Sequence, residues 1–269
     1  MPTQDAFFLP TGGGQRYCLY SAPDGPPKAA FLYLHPFAEE MNKARRAVAL
    51  QTRALVAAGH AVLQIDLLGC GDSSGDFGDA TWSAWIEDIL AAHGWLRART
   101  GAPVWFWGLR AGCLLATAAA ARLPDAGNFL FWHPFVSGQR ALQQFLRLAA
   151  AADMIGAKRA GSATPRECLD RGEAVEVAGY LLHPDLAMGL DKASLAPPPQ
   201  GGRLLWLDVV GSEADTPLPA SAKLLPQWQA AGYALHHHSV VDQTFWQTVE
   251  IETAPRLRAE TSARLTELA

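Results

Sequence analysis

The sequence has no apolar run approaching the roughly 18 residues that cross a bilayer. Its most apolar long stretch, 111–121, is alanine-rich and too short, so no membrane span is expected. Residues 1–10 carry neither a basic leader nor a long apolar core. No signal peptide is read there, and a cytoplasmic location is expected. Cysteine is scarce: Cys18, Cys70, Cys113 and Cys168 lie far apart and none sits in a C-x-x-C pair. That spacing argues against a disulfide framework or a zinc site and fits a reducing compartment. Basic charge is not in excess either. With 22 Lys and Arg against 26 Asp and Glu, the formal net charge is -4, which leaves no footprint for nucleic acid.

What is present is a rhythm of short apolar runs and amphipathic stretches. The 269 residues suffice for one large α/β domain. Runs at 29–34, 61–67, 104–107 and 128–135 read as strands, each followed by a helical or loop segment. An earlier strand is read at 16–21 and later ones at 203–210 and 233–240, with helices over 220–231 and 255–268. Thr81 or Asp79 is placed to cap a long helix through Trp85, Ile89, His93 and Leu96. Strands alternating with helices imply a doubly wound, mostly parallel sheet. Residues 138–200 break the rhythm, with a helix over 140–154 and a strand-like alternation at 173–180. They read as a cap inserted over the carboxyl edge of the sheet, within a single domain spanning 1–269.

The chain is organised around Gly108-Leu109-Arg110-Ala111-Gly112, which joins the run at 104–107 to an apolar helix. Strand, G-x-x-x-G and helix make the layout of the nucleophile elbow of α/β-hydrolases, normally G-x-S-x-G. The middle residue is Arg110, which stays protonated and has no nucleophilic lone pair. An unpaired cation in a concave site is costly, so an anion should meet it. The candidates are Glu39, Glu40, Asp72, Asp215, or a bound carboxylate or phosphate. The loop after 29–34 brings Glu39 and Glu40 to the same end of the sheet, and pairing of Arg110 with one of them is expected. The alternative is that both face water at a helix start, where the dipole favours them.

The remaining hydrolase roles are thinly supplied. His35-Pro36-Phe37 stands where an oxyanion loop belongs, although Pro36 removes one N–H donor; a plain turn is an equal reading. Asp215, with Glu213 next, is the candidate acid, against a polar surface loop. The loop at 241–246, where a catalytic histidine would sit, has none. Of His236, His237 and His238, at most two share a strand face, and His238 is the candidate to reach the site. Residues 66–75 fit D-x-x-G-x-G-x-S-x-G, but Gly69, Gly71 and Gly75 miss the G-x-G-x-x-G spacing of a dinucleotide site. No cofactor and no metal is expected.

The combination of 36–43 (PFAEEMNK), 66–75, Gly108-Leu109-Arg110, 177–180 (VAGY) and 245–252 (FWQTVEIE) resembles the exosortase A system-associated hydrolases, type 2, over nearly the whole chain. The resemblance implies an α/β-hydrolase-fold protein of the Gram-negative cytoplasm, associated with exopolysaccharide production and an exosortase. Two functions follow as expectations. One is hydrolysis of an ester or other acyl bond without an elbow serine. The other is a non-catalytic protein that binds a small-molecule or polysaccharide-precursor anion at Arg110, or serves as an adaptor for a protein partner in that system.

Overall fold

The computed structural model describes residues 2–125, 127–155, 163–212 and 217–268. The chain opens with an antiparallel hairpin, β1 (Thr3–Thr11) and β2 (Gly14–Ala22). Then come β3 (Ala30–Leu34), α1 (Glu39–Ala57), β4 (Ala61–Ile65), α2 (Trp82–Thr100), β5 (Val104–Leu109), α3 (Gly112–Ala120) and β6 (Asn128–Trp132). Residues 138–200 contain α4 (Gly138–Ile155), α5 (Pro165–Asp170), β7 (Val175–Val177), β8 (Tyr180–Leu182) and α6 (Pro184–Lys192). β9 (Gly202–Val210), α7 (Pro219–Ala230), β10 (Tyr233–Val241) and α8 (Pro255–Glu267) complete the order.

The main sheet runs β1-β2-β4-β3-β5-β6-β9-β10, and all pairings from β4 to β10 are parallel. The four runs expected to be neighbouring buried strands are adjacent as β4-β3-β5-β6. Continuous apolar sequence is what a strand covered on both faces requires. Alternation divides the side chains between two cores. Leu32, Phe106, Phe129, Phe131 and Trp206 pack on one face. Phe31, Trp105, Trp107, Leu130, Trp132 and Leu205 pack on the other, against α1 and α8. Burying each such side chain stabilises by roughly 1.5–3 kcal/mol.

Thr81 caps α2 by accepting a hydrogen bond from the Ala84 N–H at 3.1 Å, and Gly101 ends it at φ 62°. Four segments differ from expectation. β1 is an added edge strand, exposed along most of its length, and its weak apolar content hid it. The alternation at 173–180 belongs to a hairpin, β7–β8, rather than one strand, because Ala178 and Gly179 turn the chain at φ 51° and 83°. Thr164 and His183 cap two further short helices, α5 and α6, for which no element was expected.

Candidate functional site

β5 delivers the chain into a turn that only its two glycines permit. A Cβ on Gly108 would lie 2.7 Å from Cys113 backbone atoms, and one on Gly112 would collide with the Leu34 carbonyl oxygen. Between them Arg110 adopts φ 56°, a left-handed conformation that costs a non-glycine residue about 1–3 kcal/mol. Its N–H donates to Trp132 O at 3.0 Å, and its carbonyl accepts from the Cys113 and Phe135 N–H groups, locking the turn to β6. The fold thus holds a strained elbow at the carboxyl end of a central strand, with Arg110 at its apex.

The Arg110 side chain is 6% exposed. Its Nη2 lies 3.1 Å from Glu40 Oε1, and Nε lies 3.4 Å from both Glu40 oxygens. Nη2 also donates to Gln144 Oε1 of α4 at 3.1 Å. The guanidinium rests 3.8 Å from the Phe135 ring centroid and 5.1 Å from that of Trp246. Nη1 has no hydrogen bond among the described residues. Of the two carboxylates at the α1 start, Glu40 makes the pair. Glu39 is half-buried, and its Oε2 has no hydrogen-bond partner among the described residues. Burial raises the Glu40 carboxyl above its ordinary range, opposed by Arg110 and by a hydrogen bond from Gln247. Gln247 and Trp246 come from the loop after β10, so the segment where a catalytic histidine would sit contributes an indole and an amide.

Two cavities flank this pair. One, of about 510 Å³, is walled by Phe37, Phe145, Leu148, Trp246 and the acids of α1. The other, of about 360 Å³, is lined by Arg110, His133, Arg140, Arg147, Asp208 and Ser221. Phe135, Gln144 and Arg147 belong to both walls. Arg140 and Arg147 are exposed along one face of α4 and make no ion pair among the described residues. His133 stacks on Trp246 at 4.9 Å, and its Nδ1 accepts from the Val209 N–H at 3.1 Å. Burial first, then the Arg110 charge, lowers its pKa to about 4, so the ring is neutral with its proton on Nε2.

A second polar cluster borders the same cavity. Asp208 Oδ2 lies 2.9 Å from His237 Nε2, and Asp208 Oδ1 accepts from Trp206 Nε1 at 3.0 Å. Ser221, at the start of α7, also hydrogen-bonds to Asp208. Burial works to raise the Asp208 carboxyl, but these bonds outweigh it and hold the group below its ordinary range. Of the histidine run, His237 rather than His238 reaches Asp208. His238 faces α8, 3.8 Å from Glu260, while His237 shares a face with Asp208. Asp208 lies inside the run at 203–210, and which histidine shares its face depends on the β9–β10 register, which no local pattern supplies.

Other expected residues fall elsewhere. Asp215 and Glu213 lie outside the described residues. Asp72 is exposed and donates its N–H to Asp66 Oδ2; it belongs with Asp66 and Arg45, which pair at 3.0 Å. His35 is buried, with Nδ1 2.8 Å from Pro36 O and Nε2 accepting from the Leu67 N–H at 3.4 Å. Neither His35 nor Asp72 contacts Arg110 among the described residues, so the geometry removes both from its side. The glycine loop is structural: the hydroxyls of Ser73 and Ser74 accept from the Tyr17 and Gln15 N–H groups, and a Cβ on Gly71 would collide with the Asp66 carboxylate. Cys113 is no hidden nucleophile, because complete burial pushes its thiol well up and keeps it protonated.

The sequence matches no family model and no curated protein. Its structure, however, resembles solved hydrolases along the full chain. Est1E from Butyrivibrio proteoclasticus, solved with ferulic acid bound, matches with a TM-score of 0.66 at 17% identity, covering 98% of this chain and 97% of that one. XC6422 from Xanthomonas campestris, an α/β serine hydrolase without a lid, gives 0.58 at 17% identity, covering 99% and 96%. An α/β serine hydrolase homologue from Coxiella burnetii gives 0.58 at 13% identity, covering 97% of both chains. The parallel sheet, the strained elbow and these likenesses agree: the chain has the α/β-hydrolase fold.

Proposed function

We propose that the protein is an α/β-hydrolase-family member of the exosortase A system-associated kind, and that its elbow binds an anionic ligand in place of carrying an acyl intermediate. The carrying observation is Arg110 at the elbow apex, buried, braced by Glu40 and Gln144, and bordering a cavity to which Arg140 and Arg147 add charge. A protonated guanidinium cannot attack a carbonyl, but it is suited to planar recognition of a carboxylate or phosphate. Glu40 positions the guanidinium, residues 138–200 act as the cap, and Arg110, Arg140 and Arg147 meet the ligand. The sequence resemblance directs this reading to a sugar- or lipid-linked phosphate of polysaccharide assembly, in the cytoplasm, with a protein partner of the exosortase system. Thermal denaturation with added inorganic phosphate, at fixed low ionic strength, tests it. Saturable stabilisation that Arg140→Gln weakens is expected; no anion-dependent shift in the intact protein refutes it.

A second reading, hydrolysis of an ester or other acyl bond, is favoured by one observation: Asp208, which pairs with His237, and Ser221 line the same cavity. It predicts turnover of p-nitrophenyl butyrate that His237→Gln abolishes, and fluorophosphonate labelling at Ser221. Neither is expected if the elbow is only a binding site.

A further inference from the structure

The two cavities differ in chemistry, and their difference specifies a ligand more closely than an anion alone. This inference rests on the anion-binding reading above. Among the described residues that line the smaller cavity the charges do not balance. Arg110 is committed to Glu40, and Asp208 to His237, Trp206 and Ser221, while Arg140 and Arg147 have no described partner. His133 beside them is neutral. The surplus is therefore cationic and bidentate-capable. In the larger cavity the polar lining is Glu40, which faces Arg110; Glu39, which lies in the field of Lys43 and whose Oε2 has no hydrogen-bond partner among the described residues; and Gln144, Arg147 and Gln247. What remains is a concave aromatic and aliphatic surface of Phe37, Phe135, Ala141, Phe145, Leu148 and Trp246. Phe37 and Phe145 meet edge to face at 5.1 Å, and Leu148 at 36% exposure sits at the rim. A concave apolar wall beside a small number of convergent polar groups is the usual form of a site for a molecule with an apolar body.

The geometry points to an amphiphilic ligand: an anionic head on an unbranched acyl or alkyl chain. The head lies between Arg110, Arg140 and Arg147. The chain passes over Phe135, the ring shared by both walls, and occupies the aromatic cavity under α4. Arg147 also belongs to both walls, so its stem covers the chain while its guanidinium meets the head. No bond is made or broken in this step; it is binding only.

Calorimetric titration of the full chain with inorganic phosphate, butyl phosphate, octyl phosphate, octanoate and octanol, all below micellar concentration, tests the inference. Octyl phosphate is expected to bind more tightly than butyl phosphate by about three- to fourfold for each additional methylene buried. Octanoate binding in parallel would identify the head as any anion, and its failure would restrict the head to phosphate; either fits an amphiphile. Leu148→Ser, at the rim, should reduce the chain-length dependence without adding a charge beside Arg147. Arg140→Gln should weaken every anion by the same factor and leave the chain-length dependence intact. Equal affinity for inorganic and octyl phosphate overturns the amphiphile and leaves the anion site standing. Octanol binding as tightly as octyl phosphate overturns the anion site itself. Absence of binding by all five overturns both.

Discussion

At the scale of single residues, Arg110 and Glu40 are each costly alone and stable together. Removing one partner of a buried pair strands the other charge and costs roughly 3–5 kcal/mol. Arg110→Ala and Glu40→Ala should each lower the unfolding free energy by an amount in that range, read as a fall in the urea midpoint. The double variant Arg110→Met with Glu40→Leu should recover most of the loss, since a well-packed apolar replacement of a buried ion pair is near neutral or better. A double-mutant cycle with additive losses would show that the pair is not coupled. His133 gives a pH signature. Its folded pKa, about 4, lies below the unfolded 6.5. The stability it contributes is therefore complete above about pH 6.5 and lost as pH falls toward 4, amounting to about 3 kcal/mol. Asn tolerates the φ of 43° at this position and can accept the Val209 N–H. His133→Asn should flatten the urea-midpoint profile between pH 6.5 and 4 relative to the unaltered protein. An unchanged slope would mean that His133 takes up its proton at the same pH in the folded and unfolded states.

At the scale of elements, the elbow and the long helices give contrasting glycine predictions. Gly112→Ala would push a Cβ into the Leu34 carbonyl, a backbone atom that cannot yield, so a loss of at least about 3 kcal/mol or failure to fold is expected. Gly94 lies inside α2, exposed, with nothing within 4 Å of its would-be Cβ. Gly94→Ala should raise stability by about 0.5–1 kcal/mol. Thermal denaturation of the two variants checks both directions. The same contrast shows what the sequence makes legible. Central strands and the elbow are readable because double-sided burial demands continuous apolar runs and the turn demands both glycines. β1 was not readable, since an edge strand needs neither. Glu39 and Glu40 could not be told apart, because choosing between adjacent residues requires the rotation of α1, which its packing against the sheet fixes. Gln144, Phe135 and Trp246 reach Arg110 from segments far apart in the chain, and no local pattern marks them.

At the scale of the whole molecule, the N-terminal hairpin is held to the parallel sheet by more than strand pairing. Arg16 of β2 and Asp88 of α2 are 1% and 2% exposed, with Nε 2.7 Å from Oδ2. Asp88 also accepts from the Leu68 N–H at 2.9 Å, so hairpin, helix and glycine loop converge on one carboxylate. Burial raises the Asp88 carboxyl above its ordinary range even with Arg16 beside it, which makes the two ways of breaking the pair unequal. Asp88→Asn leaves a guanidinium that cannot shed its proton, and its cost, roughly 3–5 kcal/mol, should be the same from pH 5 to 8. Arg16→Met leaves a carboxylate that can take one up. In that variant the folded pKa of Asp88 rises further above the unfolded value. The folded state then binds more protons than the unfolded state, and stability is lost as pH rises through the folded pKa. Arg16→Met should therefore cost little at pH 5 and increasingly more toward pH 8, read as a urea midpoint that falls with pH relative to the unaltered protein. Parallel profiles for the two variants would show that Asp88 stays ionised without its cation, and that the Leu68 N–H and neighbouring dipoles, rather than Arg16, carry the charge.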